Sequence, residues 1–156
     1  MDTYQFGKQL SVGERGEKRL DTLFAEWFTI KAATHQEQRR GIDRIFTRRN
    51  DGHVYTIEYK TDHTAGKTGN AFVETISVDT AGKAGWASRS EAQLLIYYVP
   101  GDELIYVIDF SHLRAHLPIW EKRYPRRSIP NQGYHTHGIL VPLKEFEKIA
   151  IQVLTQ

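Results

Sequence analysis

Apolar positions change their period several times along this chain, and each change marks an element. Leu20, Leu23, Phe24, Trp27 and Phe28 recur at three- and four-residue spacing. That predicts a helix over residues 13–28 with one apolar stripe. Residues 1–12 read as a lead-in, with Ser11 placed to cap the helix. Glu14 and Glu17 fall in its first turns, where the helix dipole favours acid. Residues 28–34 read as a strand. Over residues 41–60 the pattern becomes two strands joined by Arg49-Asn50-Asp51-Gly52, a turn in which Asp-Gly supplies positive φ. In the second of these strands Tyr55, Ile57 and Tyr59 point one way, while Thr56, Glu58 and Lys60 point the other.

The alternation resumes over residues 71–78, where Glu74 stands among apolar neighbours. It is either a charge protecting an edge strand or a residue bordering a cleft. Small residues and Trp86 make residues 80–92 a loop or a turn or two of helix. Residues 93–99 and 103–110 are near-continuously apolar and separated by Pro100-Gly101-Asp102, which predicts a hairpin of buried strands. Ser111 caps a short helix ended near Pro118. A basic, proline-containing loop follows from residue 122, then a strand over 136–142 and a last helix over 143–154 with Phe146, Ile149, Ala150 and Val153 inward. No repeat or linker divides the chain, so residues 1–156 read as one domain.

Composition narrows the chemistry. The chain has 156 residues, 40% hydrophobic and 26% charged, which suits one globular domain. It has no cysteine, which excludes disulfides, thiolate metal sites and cysteine nucleophiles. Neither a signal peptide nor a membrane span is evident, so a cytoplasmic protein is expected. The net charge of +2 is mild, but basic residues cluster at Arg39-Arg40, Arg48-Arg49 and Arg126-Arg127. The first two pairs flank the strand that carries Asp43, where a phosphate backbone would need neutralising. Gly66-Lys67-Thr68 lacks the first glycine of a nucleoside-triphosphate loop and is followed by a strand, so that reading is rejected. His112 and His116, like His135 and His137, are pairs without a third ligand in the local sequence.

Asp43 precedes Glu58-Tyr59-Lys60 by fifteen residues, across a hairpin. Paired strands could bring the three charged side chains together as a small, hard metal site beside a fixed cation. This arrangement resembles the signature of the PD-(D/E)XK nuclease superfamily, with Ile42 in place of the proline. Gly13-x-x-x-Glu17 on the first helix, followed by a strand, is similar to Holliday-junction-resolvase-like members.

The resemblance covers about a third of the chain. It implies an α/β, restriction-endonuclease-like αβββαβ core: a mixed central sheet flanked by helices. It also implies a Mg²⁺- or Mn²⁺-dependent DNA endonuclease, working in repair or recombination as a homodimer. Asp43, Glu58 and the backbone carbonyl of Tyr59 would hold the metal. Lys60 would position water or stabilise charge on the phosphate, and Glu17 would help order water. Arg39, Arg40, Arg48, Arg49, Arg126 and Arg127 are the candidate DNA contacts. Gln93-x-x-x-Tyr97 echoes a nuclease motif that lies on a helix, whereas here it falls in a predicted strand.

Two alternatives stand beside this. One is a catalytically silent nucleic-acid-binding protein of the same fold. The other is a regulatory interaction protein using Trp86, Trp120 and Tyr97-Tyr98 as anchors. Asp43, Glu58 and Lys60 would then be a salt-bridge cluster of little energetic weight.

Overall fold

The computed structural model describes the backbone of residues 3–156 and side chains from residue 13 onward. Helix α1 (Thr3–Phe24) leads into β1 (Phe28–Ala32), α2 (His35–Arg39), β2 (Arg44–Arg48) and β3 (Val54–Thr61). A short helix α3 (Ala65–Thr68), β4 (Asn70–Val78), β5 (Lys83–Ala84) and α4 (Trp86–Arg89) follow. The chain continues through β6 (Leu94–Val99), β7 (Leu104–Asp109), α5 (Phe110–Arg123), β8 (Arg126–Pro130) and β9 (His135–Pro142). It closes with α6 (Leu143–Ile149) and β10 (Gln152–Thr155).

Two sheets form where a single sheet was expected. A six-stranded mixed sheet runs β1-β2-β3-β6-β7-β10, and a four-stranded antiparallel sheet runs β5-β4-β9-β8. Only β3 and β6 pair in parallel within the first. Its two faces explain the sequence pattern. Ile57, Tyr59, Ile96 and Tyr98 pack with Leu20 and Phe24 of α1. Leu95, Tyr97 and Val99 pack on the other side with Trp86, Phe110, Trp120 and Phe146. Strand β6 is therefore buried on both faces, as its unbroken apolar run predicts. Trp86, Trp120, Tyr97 and Tyr98 are core residues, which removes the surface anchors of an interaction protein.

Several element limits differ from expectation. Helix α1 begins ten residues early and ends at Phe24. Ser11 thus lies inside it, and its side chain is outside the described ones. Trp27 is 46% exposed rather than part of the apolar stripe. Helix α5 passes through Pro118 and is capped by Asp109, whose Oδ1 accepts from Ser111 N at 2.8 Å. Leu113, Leu117 and Trp120 lie buried on either side of that proline, and their burial outweighs one lost helix bond. The expected last helix stops at Ile149 because β7 would otherwise be an open edge; β10 pairs with it instead. Val153 is accordingly 37% exposed, not inward. The expected basic loop contains β8, paired along β9.

Helix α1 approaches the sheet closely at one point. A Cβ on Gly16 would lie 2.3 Å from Thr61 Oγ1 at the end of β3. Gly16→Ala should therefore destabilise the fold by about 1–3 kcal/mol. Thr61→Ala in the same chain should restore most of that loss in a denaturation cycle. Simple additivity of the two changes would mean the contact is not tight.

Candidate active site

Strand pairing brings the separated charges together. Arg44 is opposite Ile57, and Asp43 N donates to Ile57 O at 2.8 Å, which sets Asp43 beside Glu58. Asp43 Oδ2 then accepts from Tyr59 N at 2.8 Å. The pleat turns Arg44 and Tyr59 toward α1 and turns Asp43, Glu58 and Lys60 to the opposite face. Lys60 Nζ lies 3.3 Å from Glu58 Oε1 and 5.9 Å from the centre of the Trp86 ring. The side chain of Glu58 is almost fully buried, and its Oε2 has no hydrogen-bond partner.

That unpartnered oxygen is the most unusual feature of the site. A buried carboxylate normally has its oxygens satisfied, and leaving one bare is unfavourable. Burial pushes the Glu58 carboxyl above its ordinary pKa, and Asp43 adds to this, while Lys60 and Ser90 oppose it. Burial also raises Asp43, against the Tyr59 N–H, Lys60 and Arg44. Glu17 stands on the α1 side of the sheet with Arg44, within electrostatic range of Asp43. Burial raises its pKa, and repulsion from Asp43 is the next cause. Asp43 disfavours the charge of both Glu58 and Glu17, and oxygen donors of this kind are what a hard divalent cation of the Mg²⁺ or Mn²⁺ type takes. As they stand, no three His, Cys, Asp or Glu side chains among the described residues close around a common point as a metal cage.

Two site neighbours were not anticipated. Arg44 bonds Asp21 at 3.0 Å and Glu17 at 3.4 Å, and its guanidinium lies over the Tyr59 ring. The Tyr59 hydroxyl donates to Asp21 Oδ1 at 2.8 Å. Asp21 and Arg44 thereby tie α1 to the hairpin and hold Glu17 in place. The spacing of Glu17 and Asp21, one helical turn apart, was the available signal. Tyr59 contributes its main-chain N–H to Asp43, while its side chain serves the opposite face.

The face carrying Lys60 opens into a cleft of about 560 Å³, lined by Lys60, His63, Phe72, Glu74, Trp86 and Arg127 among others. Glu74 thus borders the cleft. It is not on an edge, because β4 lies between β5 and β9. Its Oε1 accepts from Trp86 N at 3.3 Å and steadies the wall behind Lys60. Gln93 is structural: its Oε1 accepts from Thr56 N at 3.1 Å, and it precedes a strand. Tyr97 donates to Asp62, whose other oxygen receives Thr64 N and Ala65 N, so the loop after β3 is anchored by a helical turn.

The arginines separate. Arg127 faces the cleft, whereas Arg126, one residue along β8, lines a different hollow with Glu121 and Tyr124. Arg40 pairs with Glu91 at 3.3 Å, just beyond α2, where Arg39 ends the helix. Arg48 pairs with Asp51 at 2.6 Å and Arg49 donates to Ala25 O, at the end of β2 away from Asp43. A five-residue strand puts them roughly 16 Å from it. They line a cavity of about 550 Å³ with Trp27 and Phe28; Glu17, Asp43 and Glu58 line neither it nor the Lys60 cleft, which Glu58 adjoins through Lys60. His116 Nδ1 lies 2.8 Å from His112 O, a contact within one helix.

No family model, no curated protein and no solved structure matches this chain. Among the described residues, no helix is long and apolar enough to cross a membrane.

Proposed function

We propose that this site belongs to a metal-dependent phosphodiesterase of the PD-(D/E)XK class. The observation that carries the reading is the bare, buried Oε2 of Glu58 beside Asp43, with Lys60 on the same face. With α2, α3, β4 and β5 treated as insertions, the order of the remaining elements is compatible with it: α1, the antiparallel strands β1 to β3, then α4 and β6, which pairs in parallel with β3.

Within that class the reading is a DNA endonuclease, structure-selective in the manner of junction resolvases, acting as a dimer. Asp43 and Glu58 would hold Mg²⁺ or Mn²⁺, which when bound offsets charge on the scissile phosphate and eases deprotonation of water. Lys60 supplies a compact cation to a phosphate oxygen. Glu17, whose pKa burial raises, would help order water from the α1 side, where Arg44 holds it. Trp86 and Glu74 keep Lys60 against the cleft wall.

The test compares duplex, single-stranded, flapped and four-way-junction DNA with Mg²⁺, Mn²⁺ or EDTA. Metal-dependent cutting, best on the junction, is expected. No cutting of any substrate would leave the charged residues as a salt-bridge cluster. The division of the arginines gives a sharper expectation for binding. Arg127→Ala should lower the slope of log K against log salt by about one phosphate contact, while Arg126→Ala should leave it unchanged. Equal effects of the two would remove the cleft from the DNA path.

A further inference from the structure

His135 and His137 lacked a third ligand in the sequence around them; the fold supplies one from residue 79. The first residue after β4, Asp79, lies against the start of β9. Its Oδ2 is 3.1 Å from His137 Nε2 and 3.8 Å from His135 Nδ1. Around a tetrahedral zinc ion, neighbouring nitrogen and oxygen donors stand about 3.3 Å apart. The two observed spacings bracket that value. The imidazole rings lie nearly parallel, 28° apart with centroids at 6.3 Å, as expected for alternate residues on one side of a strand.

The support around these side chains is built like that of a metal ligand set. Asp79 Oδ1 accepts from His135 N at 2.9 Å, which turns Oδ2 toward the rings. Asp79 N donates to His135 O at 3.2 Å, closing the pair of strands. His137 is paired on both sides, to Ile76 of β4 and Ser128 of β8, so its backbone is fixed. Ser128 Oγ lies 2.6 Å from His137 Nδ1 and holds the ring with Nε2 toward Asp79. A partner on the distal imidazole nitrogen is the usual device for orienting a ligating histidine.

We propose that Asp79, His135 and His137 form a second metal site, taking a borderline divalent cation of the Zn²⁺ type. Imidazole donors favour such an ion over Mg²⁺. The donors do not yet enclose a common point. Nε2 of His137 and Oδ2 of Asp79 share a hydrogen bond where the cation would sit. On binding, the ring proton of His137 resides on Nδ1 and is donated to Ser128. His135, more than half exposed and with its ring centroid 6.3 Å from that of His137, would have to turn toward the pair, leaving a fourth position to solvent. None of the three residues lines the cleft of Lys60, so the site is separate from the proposed active centre.

The experiment uses the full chain, stripped of metal and then held in excess Mg²⁺ to occupy hard carboxylate sites. Zn²⁺ is titrated by calorimetry, and Co²⁺ by its visible absorption. One equivalent of each should bind, with the intense bands of low-coordinate Co²⁺. His135→Ala and His137→Ala should abolish that equivalent, and Ser128→Ala should weaken it about tenfold. Asp79→Asn keeps an acceptor for His135 N and should also lose Zn²⁺ affinity while melting like the parent. His112→Ala with His116→Ala should change nothing. Absence of Zn²⁺ binding, or full binding retained in His135→Ala, would make this cluster a hydrogen-bonded bracket between strands and overturn the proposal.

Discussion

Lys60→Ala and Asp43→Asn should each reduce metal-dependent DNA cleavage by about 10³-fold, the order expected when one group that stabilises developing charge is removed. The two act differently. Lys60 is the cation on the cleft face, 3.3 Å from Glu58, and its removal takes away a charge at the phosphate. Asp43 is bound to the main chain of β3 through Tyr59 N, and asparagine can keep that bond through its oxygen while losing the negative charge. Both variants should melt close to the parent and should bind DNA within a few-fold of it in EDTA. Retention of a tenth or more of the cutting rate by either would remove it from the mechanism. Loss of folding in both would mean the cluster is structural.

Glu58→Gln should abolish cutting and yet make the metal-free protein more stable. Glu58 is 5% exposed and one of its oxygens is unpaired. Relieving a buried, unsatisfied charged group should gain about 1–3 kcal/mol at pH 7. The pH dependence gives the sign. Its carboxyl is raised by burial, so the stability tied to this group is complete below its unfolded pKa and is lost as pH rises through the folded one. The parent should therefore weaken from mildly acidic to neutral pH in EDTA, and the variant should show less of that slope. Mg²⁺ should raise the melting temperature of the parent and not of the variant, because ligand binding to the native state is what stabilises it. A variant less stable than the parent at pH 7, or an equal Mg²⁺ effect on both, would sink this account of the site.

Glu58 follows the alternation of β3 with Thr56 and Lys60, and its burial to 5% exposure is what packing alone would not choose for a carboxylate. Such exceptions are expected where function is bought with stability. Asp62, by contrast, has a structural reason: it holds Tyr97 and the turn after β3.

The hairpin of residues 41–60 was determined by the sequence alone, because alternation and one Asp-Gly turn are local; Gly52 takes φ +75 there. The same is true of the face shared by Glu58 and Lys60, of β6 and β7 as buried strands, and of the apolar stripe of α1. What the tertiary structure decided were the facts that depend on distant partners. Residues 152–155 became a strand because β7 needed an edge covered, overriding their helical spacing. Residues 126–130 became a strand because β9 offered one. The separation of β4 and β9 into a second sheet brought Glu74 and Arg127 onto the lining of the Lys60 cleft and sent Arg126 to a different hollow. Arg44 and Asp21 joined the site only once α1 lay on β2 and β3. Asp79 met His135 and His137 across 56 and 58 residues of chain. Periodicity reports which side of an element is buried; it carries no information on which element arrives to bury it.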